Sequence, residues 1–300
     1  MKSGVSMQEI IKEIRAYLGL SQAEFADKLG VTFATVNRWE NGRVVPNKLA
    51  QIKLYEFCKE KEVPVYDMTI ARVNKEAKEL NIPNDRVLLY HGSKKGIVGK
   101  IAPISRDKCD FGKGFYMGTD PAQPLTLICD FEKSTFYVVS IKTNELKMLK
   151  VPADIDWAML VAYHRGRMER INTTEFYDKY RKMDADKDVI VGSIANDKMF
   201  YVLDNFFLGN ITDLALVKSL SALQLGEQYV AVTEKACDEI RIEKEIEISY
   251  MERRFLQDRS EENRAKGVRL ANDICKNYRR EGKLFDEILD EAKLLWMNYK

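Results

Sequence analysis

The sequence offers little for metal or thiol chemistry. Its 300 residues contain two histidines, His91 and His164, and five cysteines that stand far apart with no Cys-x-x-Cys pair. A structural zinc needs a tight set of such ligands, and a disulfide framework needs paired cysteines. Neither is expected, and reduced thiols in a cytoplasm are. No apolar run approaches the roughly 18 residues of a membrane span, so no membrane partner is expected. Residues 1–14 have no apolar stretch of signal-peptide kind, so export is not expected either. Neither sign of charge is in excess, the formal net charge being +2. Nucleic-acid binding must then come from a local patch and not from a global field.

What is present starts with helical signals. Ile10, Ile11, Ile14 and Leu18 recur at helical spacing. Gly19-Leu20-Ser21 stops that helix, and Ser21 caps another, with Glu24 as its capping-box partner. Phe25, Ala26 and Leu29 give this helix an apolar face, and Gly30 ends it where a left-handed residue is wanted. Thr32 caps a third helix running to about Asn41-Gly42. Two helices joined by a short glycine-containing turn form a helix-turn-helix. The run from Leu20-Ser21-Gln22-Ala23-Glu24-Phe25-Ala26 to Val36-Asn37-Arg38-Trp39-Glu40-Asn41-Gly42 resembles the Xre/Cro-repressor family. That resemblance implies a third helix in the major groove of double-stranded DNA, with Thr32, Phe33, Thr35, Asn37 and Arg38 at bases or backbone. It implies phosphate contacts for Gln22 and Arg43. Trp39 belongs in the small core or against the sugar-phosphate backbone. Such domains also serve as dimerisation or protein-docking modules.

Residues 46–60 read as a fourth helix, and the charged run to Pro64 as a boundary. A helix over 68–80 is either a connector or the first helix of the next domain. Arg86-Val87-Leu88-Leu89-Tyr90 has strand length and leads into His91-Gly92-Ser93. A second strand spans 114–118. Side by side, the two bring His91 and Tyr116 into one cleft. The glycine-lysine run over 92–100 misses the spacing of a phosphate-binding P-loop. His164 lies on a helical stretch, where solvation or packing accounts for it.

Tyr90-His91-Gly92-Ser93 and Asp110-Phe111-Gly112-Lys113-Gly114-Phe115-Tyr116 resemble the NAD-binding strands of ADP-ribosyltransferases of the diphtheria-toxin and poly(ADP-ribose) polymerase type. The resemblance covers roughly 86–239. It implies that His91 bonds a ribose hydroxyl, for which imidazole is a suitable neutral partner. It implies that the Gly92 backbone and the Ser93 hydroxyl hold the nicotinamide carboxamide, and that Tyr116 stacks on the nicotinamide ring. Lys113 would lie at the outer edge, on the diphosphate or the acceptor. Phe115 joins these NAD contacts. The family's third strand opens with glutamate. Here Glu227-Gln228-Tyr229-Val230 stands in its place, with Gln228 in the glutamate position and Glu227 as the alternative one residue earlier. A bacterial branch with Gln-Tyr-Val-type strands and a segment like 191–197 is closer, which makes Asn196 and Asp197 second-rank candidates.

Residues 239–248 alternate, with Ile240, Ile242, Ile246 and Ile248 on one side, as in a half-buried edge strand. The charged helical tail carries apolar stripes at Leu270, Ile274 and Tyr278 and at Leu284, Phe285, Ile288, Leu294 and Leu295. It either caps the preceding domain or forms a homodimer or antitoxin-docking surface. The expected architecture is multidomain. It has an all-α helix-turn-helix domain over 1–65, a helical connector over 66–84, an α+β ADP-ribosyltransferase-like domain of split antiparallel sheets with helices over 85–249, and a helical extension over 250–300. The expected activity is mono-ADP-ribosyl transfer from NAD to a protein or nucleic-acid acceptor, in a bacterial toxin or phage-defence setting, with no metal. The alternative is an NAD-sensing transcriptional regulator whose transferase fold does not react.

Overall fold

A computed structural model describes residues 4–194, 197–223, 226–278 and 281–298. The N-terminal region is a bundle of α1 (Gly4–Tyr17), α2 (Gln22–Leu29), α3 (Phe33–Glu40) and α4 (Lys48–Glu60), followed by α5 (Val65–Lys78). Its helix boundaries follow from local chemistry. The Ser21 side chain accepts from the Glu24 amide, and the Ser21 N–H donates to the Glu24 carboxylate at 2.8 Å. Gly30 takes φ 62°, a left-handed conformation that costs a side-chain-bearing residue strain. Thr32 and Asn47 cap the next two helices. Ile10, Ile14, Phe25, Leu29, Val36 and Trp39 share one core, so Trp39 is a packing residue.

Then come β1 (Arg86–Ser93), β2 (Phe115–Gly118), α6 (Ala122–Ile128), β3 (Thr135–Lys142), β4 (Met148–Lys150), α7 (Ile155–His164), α8 (Glu175–Met183) and β5 (Val189–Ser193). After these follow α9 (Asp197–Phe207), α10 (Asp213–Leu223), β6 (Glu227–Ala231), α11 (Glu234–Asp238), β7 (Ile240–Ile246), α12 (Tyr250–Tyr278) and α13 (Phe285–Asn298). The strands form one mixed sheet in the order β4-β5-β6-β2-β1-β3-β7, with β4–β5 its parallel pair. This single mixed sheet replaces the expected split antiparallel sheets; within it β1 and β2 share one registered pair, Tyr90–Gly118. On one face the two halves cover different cores, while on the other Leu89 and Val139 share a core with Val191 and Ala231. Val230 and Ile190 pack with α7, α9, α10 and α13 residues, whereas Tyr90 and Phe136 pack with Val73, Leu125 and Leu256.

β7 is an edge strand, but its isoleucines do not share a face. A bulge between Val138 and Val139 of β3 leaves Glu243 as the extra residue of β7. A one-residue slip sends every following side chain to the opposite face. Ile240 therefore packs beside Leu89 and Val139, while Ile246 and Ile248 pack beside Val138 and Phe136. Ile242, at the rim, is exposed. In the tail, Phe285, Leu289 and Ala292 cover the α7–α10 core, with Ile274 and Tyr278 against it, whereas Leu294 and Leu295 face solvent.

α5 and α12 join the helical bundle to the sheet. Val65 of α5 enters the N-terminal core, and Val73 and Ala77 pack under β1 and β3. Between the two helices lies a buried ion pair, Arg72 Nη2 to Glu252 Oε1 at 2.8 Å, with side chains 2% and 0% exposed. Arg72 also reaches Glu76 at 2.6 Å. Burial opposes the Arg72 charge, but these two carboxylates outweigh it and hold its pKa above the ordinary value. The second Glu252 oxygen accepts from the Ser249 amide and hydroxyl, capping α12. Glu252→Ala should cost about 3–5 kcal/mol, since it leaves a buried cation half-compensated. The urea unfolding midpoint reads this loss, and Arg72→Met with Glu252→Leu should recover most of it. A Glu252→Ala protein with the wild-type midpoint would show that the pair holds nothing.

Candidate functional site

Past the Tyr90–Gly118 pair, β1 continues on β3 alone and β2 is held by β6. The parting strands open a cleft of about 1610 Å³. His91 spans the gap. Its Nδ1 lies 2.7 Å from the Tyr116 carbonyl oxygen, and its ring stacks on Phe115 with centroids 4.1 Å apart. A carbonyl only accepts, so Nδ1 carries the proton. Burial pushes the imidazole below its ordinary pKa, against the opposing effect of that hydrogen bond. His91 is therefore neutral near pH 7, and Nε2 is left as an acceptor.

The register pairs Tyr116 with Val230 and Gly118 with Gln228, so Tyr116 and Gln228 share a face. Both line the cleft. The Gln228 amide donates to the Ser193 carbonyl at 3.1 Å, which sets its orientation. Glu227 points the other way and pairs with Lys150 at 2.7 Å. The Tyr116 hydroxyl donates to the Gly112 carbonyl at 2.8 Å and accepts from the Phe111 N–H at 3.0 Å. Burial raises its pKa well above the ordinary phenol. Tyr116 thus keeps its proton and fastens the turn that precedes β2.

Gly92 and Ser93 also line the cleft. The crowding that demands glycine at 92 comes from α6, because a Cβ there would lie 2.5 Å from the Pro124 carbonyl oxygen. The Ser93 hydroxyl donates to Gly96 at 2.9 Å. Lys113 lies beside the cleft-lining Gly114 without lining the cleft itself. It follows the Gly112 turn (φ 70°) and reaches exposed Asp107 at 2.8 Å, away from the cleft lining. Asn196 and the Asp197 side chain lie outside the described residues, and Asp197 opens α9. His164 is a packing residue, with Nε2 2.6 Å from Asp184.

Several residues outside the two motifs also line the cleft. Arg165, at the end of α7, is held by Asp110 at 2.7 Å and Asp204 at 3.5 Å. Arg167, Tyr201 of α9, and Arg264 and Val268 of α12 line the same space. Tyr163-His164-Arg165 was visible as a polar cluster. Nothing in the charged α12 run marks Arg264.

On α3 the expected DNA-facing residues divide. Phe33, Thr32 and Arg38 are exposed, as is Arg43 beyond the helix. Gln22 and Asn37 are half-buried and bonded to each other at 3.2 Å. Gln22 also donates to buried Glu40 at 2.6 Å, and Arg15 reaches the same carboxylate at 2.6 Å. Burial would raise the Glu40 pKa, but these two donors outweigh it and hold the carboxylate ionised. The network fixes α3 against α1 and α2. It leaves Thr32, Phe33, Arg38 and Arg43 as the accessible face.

Among known families, residues 87–242 match one described as protein of unknown function, DUF3990. The match takes in more than half of the chain. This chain belongs to the DUF3990 family. Residues 11–54 match a helix-turn-helix family, which supports DNA binding by that region. No curated protein and no solved structure matches the chain. The DUF3990 segment runs from β1 into β7 and includes His91, Tyr116 and Gln228, while α12 lies beyond it.

A histidine whose pKa is lower in the folded state binds its proton more readily when unfolded. Stability is then unaffected above pH 6.5, the ordinary histidine value, and falls as pH drops below it. Between pH 7.5 and 5.5 the wild type should lose more unfolding free energy than His91→Asn, as urea titrations at each pH would read. Equal losses would contradict a buried neutral His91.

Proposed function

We propose that the cleft binds NAD and that the protein transfers single ADP-ribose units from it, under an N-terminal domain that binds duplex DNA. The observation that carries this reading is the conjunction at the parted strands. A neutral imidazole with one free acceptor, an aromatic ring and a fixed amide face one cleft with a basic surround. His91 Nε2 would accept from a ribose hydroxyl. The Tyr116 ring would lie against nicotinamide, its hydroxyl being occupied in the turn. Gln228 would hold a second ribose hydroxyl. NAD supplies a glycosidic carbon whose bond to nicotinamide breaks with the electron pair leaving on neutral nicotinamide. An acceptor nucleophile forms the new bond, and its proton passes to solvent. An amide cannot act as general base, so Gln228 would orient and not deprotonate. This favours single transfer over chain growth. The fusion to a repressor-like domain fits a toxin or phage-defence effector, by analogy of context alone.

One observation favours a second reading, a regulator that senses NAD through a non-reacting fold. α12 contacts the helix-turn-helix region through Asp258, bonded to Tyr55 at 2.8 Å and Lys59 at 2.9 Å, and it lends Arg264 to the cleft.

Release of nicotinamide from ring-labelled NAD separates the two readings. The wild type should release it. His91→Ala should be slower by about 100-fold, the scale of a misplaced reacting carbon. Tyr116→Phe keeps the ring but frees the turn, and should fall less than Tyr116→Ala. Gln228→Glu should keep NAD binding and change turnover. If His91→Ala and Tyr116→Ala both release nicotinamide at the wild-type rate, the site is elsewhere. If no variant and no wild type releases it while NAD changes DNA affinity, the regulator reading stands. For the DNA-binding domain, Arg43→Ala should weaken binding to all duplexes and lower the salt slope by about one unit.

A further inference from the structure

We propose that the rim of the cleft docks a single-stranded nucleic acid, which serves as the acceptor of the transferred group. The docking stands on the charge and size of the cleft, and the acceptor role rests on the NAD reading above. The rim carries Lys94, Lys100, Arg106, Lys108, Arg167 and Arg264, all exposed and drawn from the loop after β1, the segment after α7, and α12. Lys100 is paired with Asp238 at 2.8 Å. The lining holds two acidic residues, Asp110 and Asp204, both facing Arg165, against these more numerous rim cations. In a chain of net charge +2 this excess is local, not a reflection of composition.

One dinucleotide does not account for it. The diphosphate of NAD carries only two negative charges. The cleft volume of about 1610 Å³ also exceeds the roughly 300–1,000 Å³ of ordinary small-molecule sites. The surplus room and charge call for a second, polyanionic occupant. Exposed Val98, Ile104 and Tyr201 stand among the cations, at 92%, 82% and 36% exposure. Cations interleaved with apolar and aromatic groups suit unpaired bases on a phosphate backbone. A duplex fits poorly, since His91 and Tyr116 sit within a concave site that a stacked base does not reach.

The test uses the full-length protein and fluorescein-labelled 20-nucleotide strands, DNA and RNA, free of self-complementarity. Anisotropy without NAD should show binding that weakens linearly on a log–log salt plot, by about 0.7 in slope per phosphate contact. Lys108→Glu with Arg167→Glu should reduce strand affinity at least tenfold, while Arg43→Ala leaves it unchanged and weakens duplex binding instead. On the wild type, 5-iodouridine photo-crosslinks should map to residues 94–108 or Tyr201. Wild-type strand affinity in the charge-reversed variant, or crosslinks confined to residues 11–54, would overturn the docking. Label from adenylate-labelled NAD should appear on the strand. Label on lysate proteins but not on the strand overturns the acceptor role and keeps the NAD reading. Absence of any nicotinamide release overturns the acceptor role through the NAD reading, whatever the strand binding.

Discussion

Buried backbone N–H and C=O groups need partners, and a sheet supplies them only while its strands stay adjacent. β1 and β2 separate after Tyr90 and Gly118, so the carbonyl of Tyr116 has no ladder partner from β1. The His91 side chain provides one at 2.7 Å. That substitution lets a sheet open without leaving a buried acceptor unpaired. It also fixes the tautomer of His91, and with it the direction in which a ring nitrogen is free to accept. On the face away from the shared Leu89–Ala231 core, the two halves pack against different helices. One half-sheet is committed to the core of α7, α9, α10 and α13, the other to the core of α5, α6 and α12.

α12 is the second organising element. At 29 residues it runs for about 44 Å. Met251 enters the core of the helical bundle, Leu256 the core under β1 and β3, and Ile274 packs near the α7–α10 core. A helix shared by three cores ties their stabilities together. The Arg72–Glu252 pair and the Ser249 cap sit at its first turn, where the helix would otherwise fray.

Features set by neighbours in sequence were legible. The capping box at Ser21 and Glu24, the left-handed Gly30, the Thr32 cap, the strands expected at 86–90 and 114–118 and found at 86–93 and 115–118, and the opposed facing of Glu227 and Gln228 all follow from local spacing. Features set by distant partners were not. The bulge that turns Ile246 away from Ile240 depends on where β3 meets β7. Lys113 was read from a motif, but its position follows from the turn that Tyr116 fastens. The reason for Gly92 lies in α6, more than thirty residues on. Arg264 reaches the cleft only because α12 crosses it, and a charged helix carries no sign of which face it presents.

The same crossing sets a thermodynamic condition on function. Asp258 touches the helix-turn-helix region, and Arg264 stands at the cleft six residues later, about 9 Å along one rigid helix. A ligand that binds the cleft equally well in every arrangement of α12 changes nothing at α3. A ligand whose contact with Arg264 differs between two arrangements of α12 against α4 alters DNA affinity if DNA also binds those two arrangements differently. DNA must then alter the affinity of that ligand by the same factor. Occupancy of the cleft and DNA binding at α3 are in this way open to coupling within one architecture. They share one helix, and the size of the effect is set by how differently that helix packs when the cleft is filled.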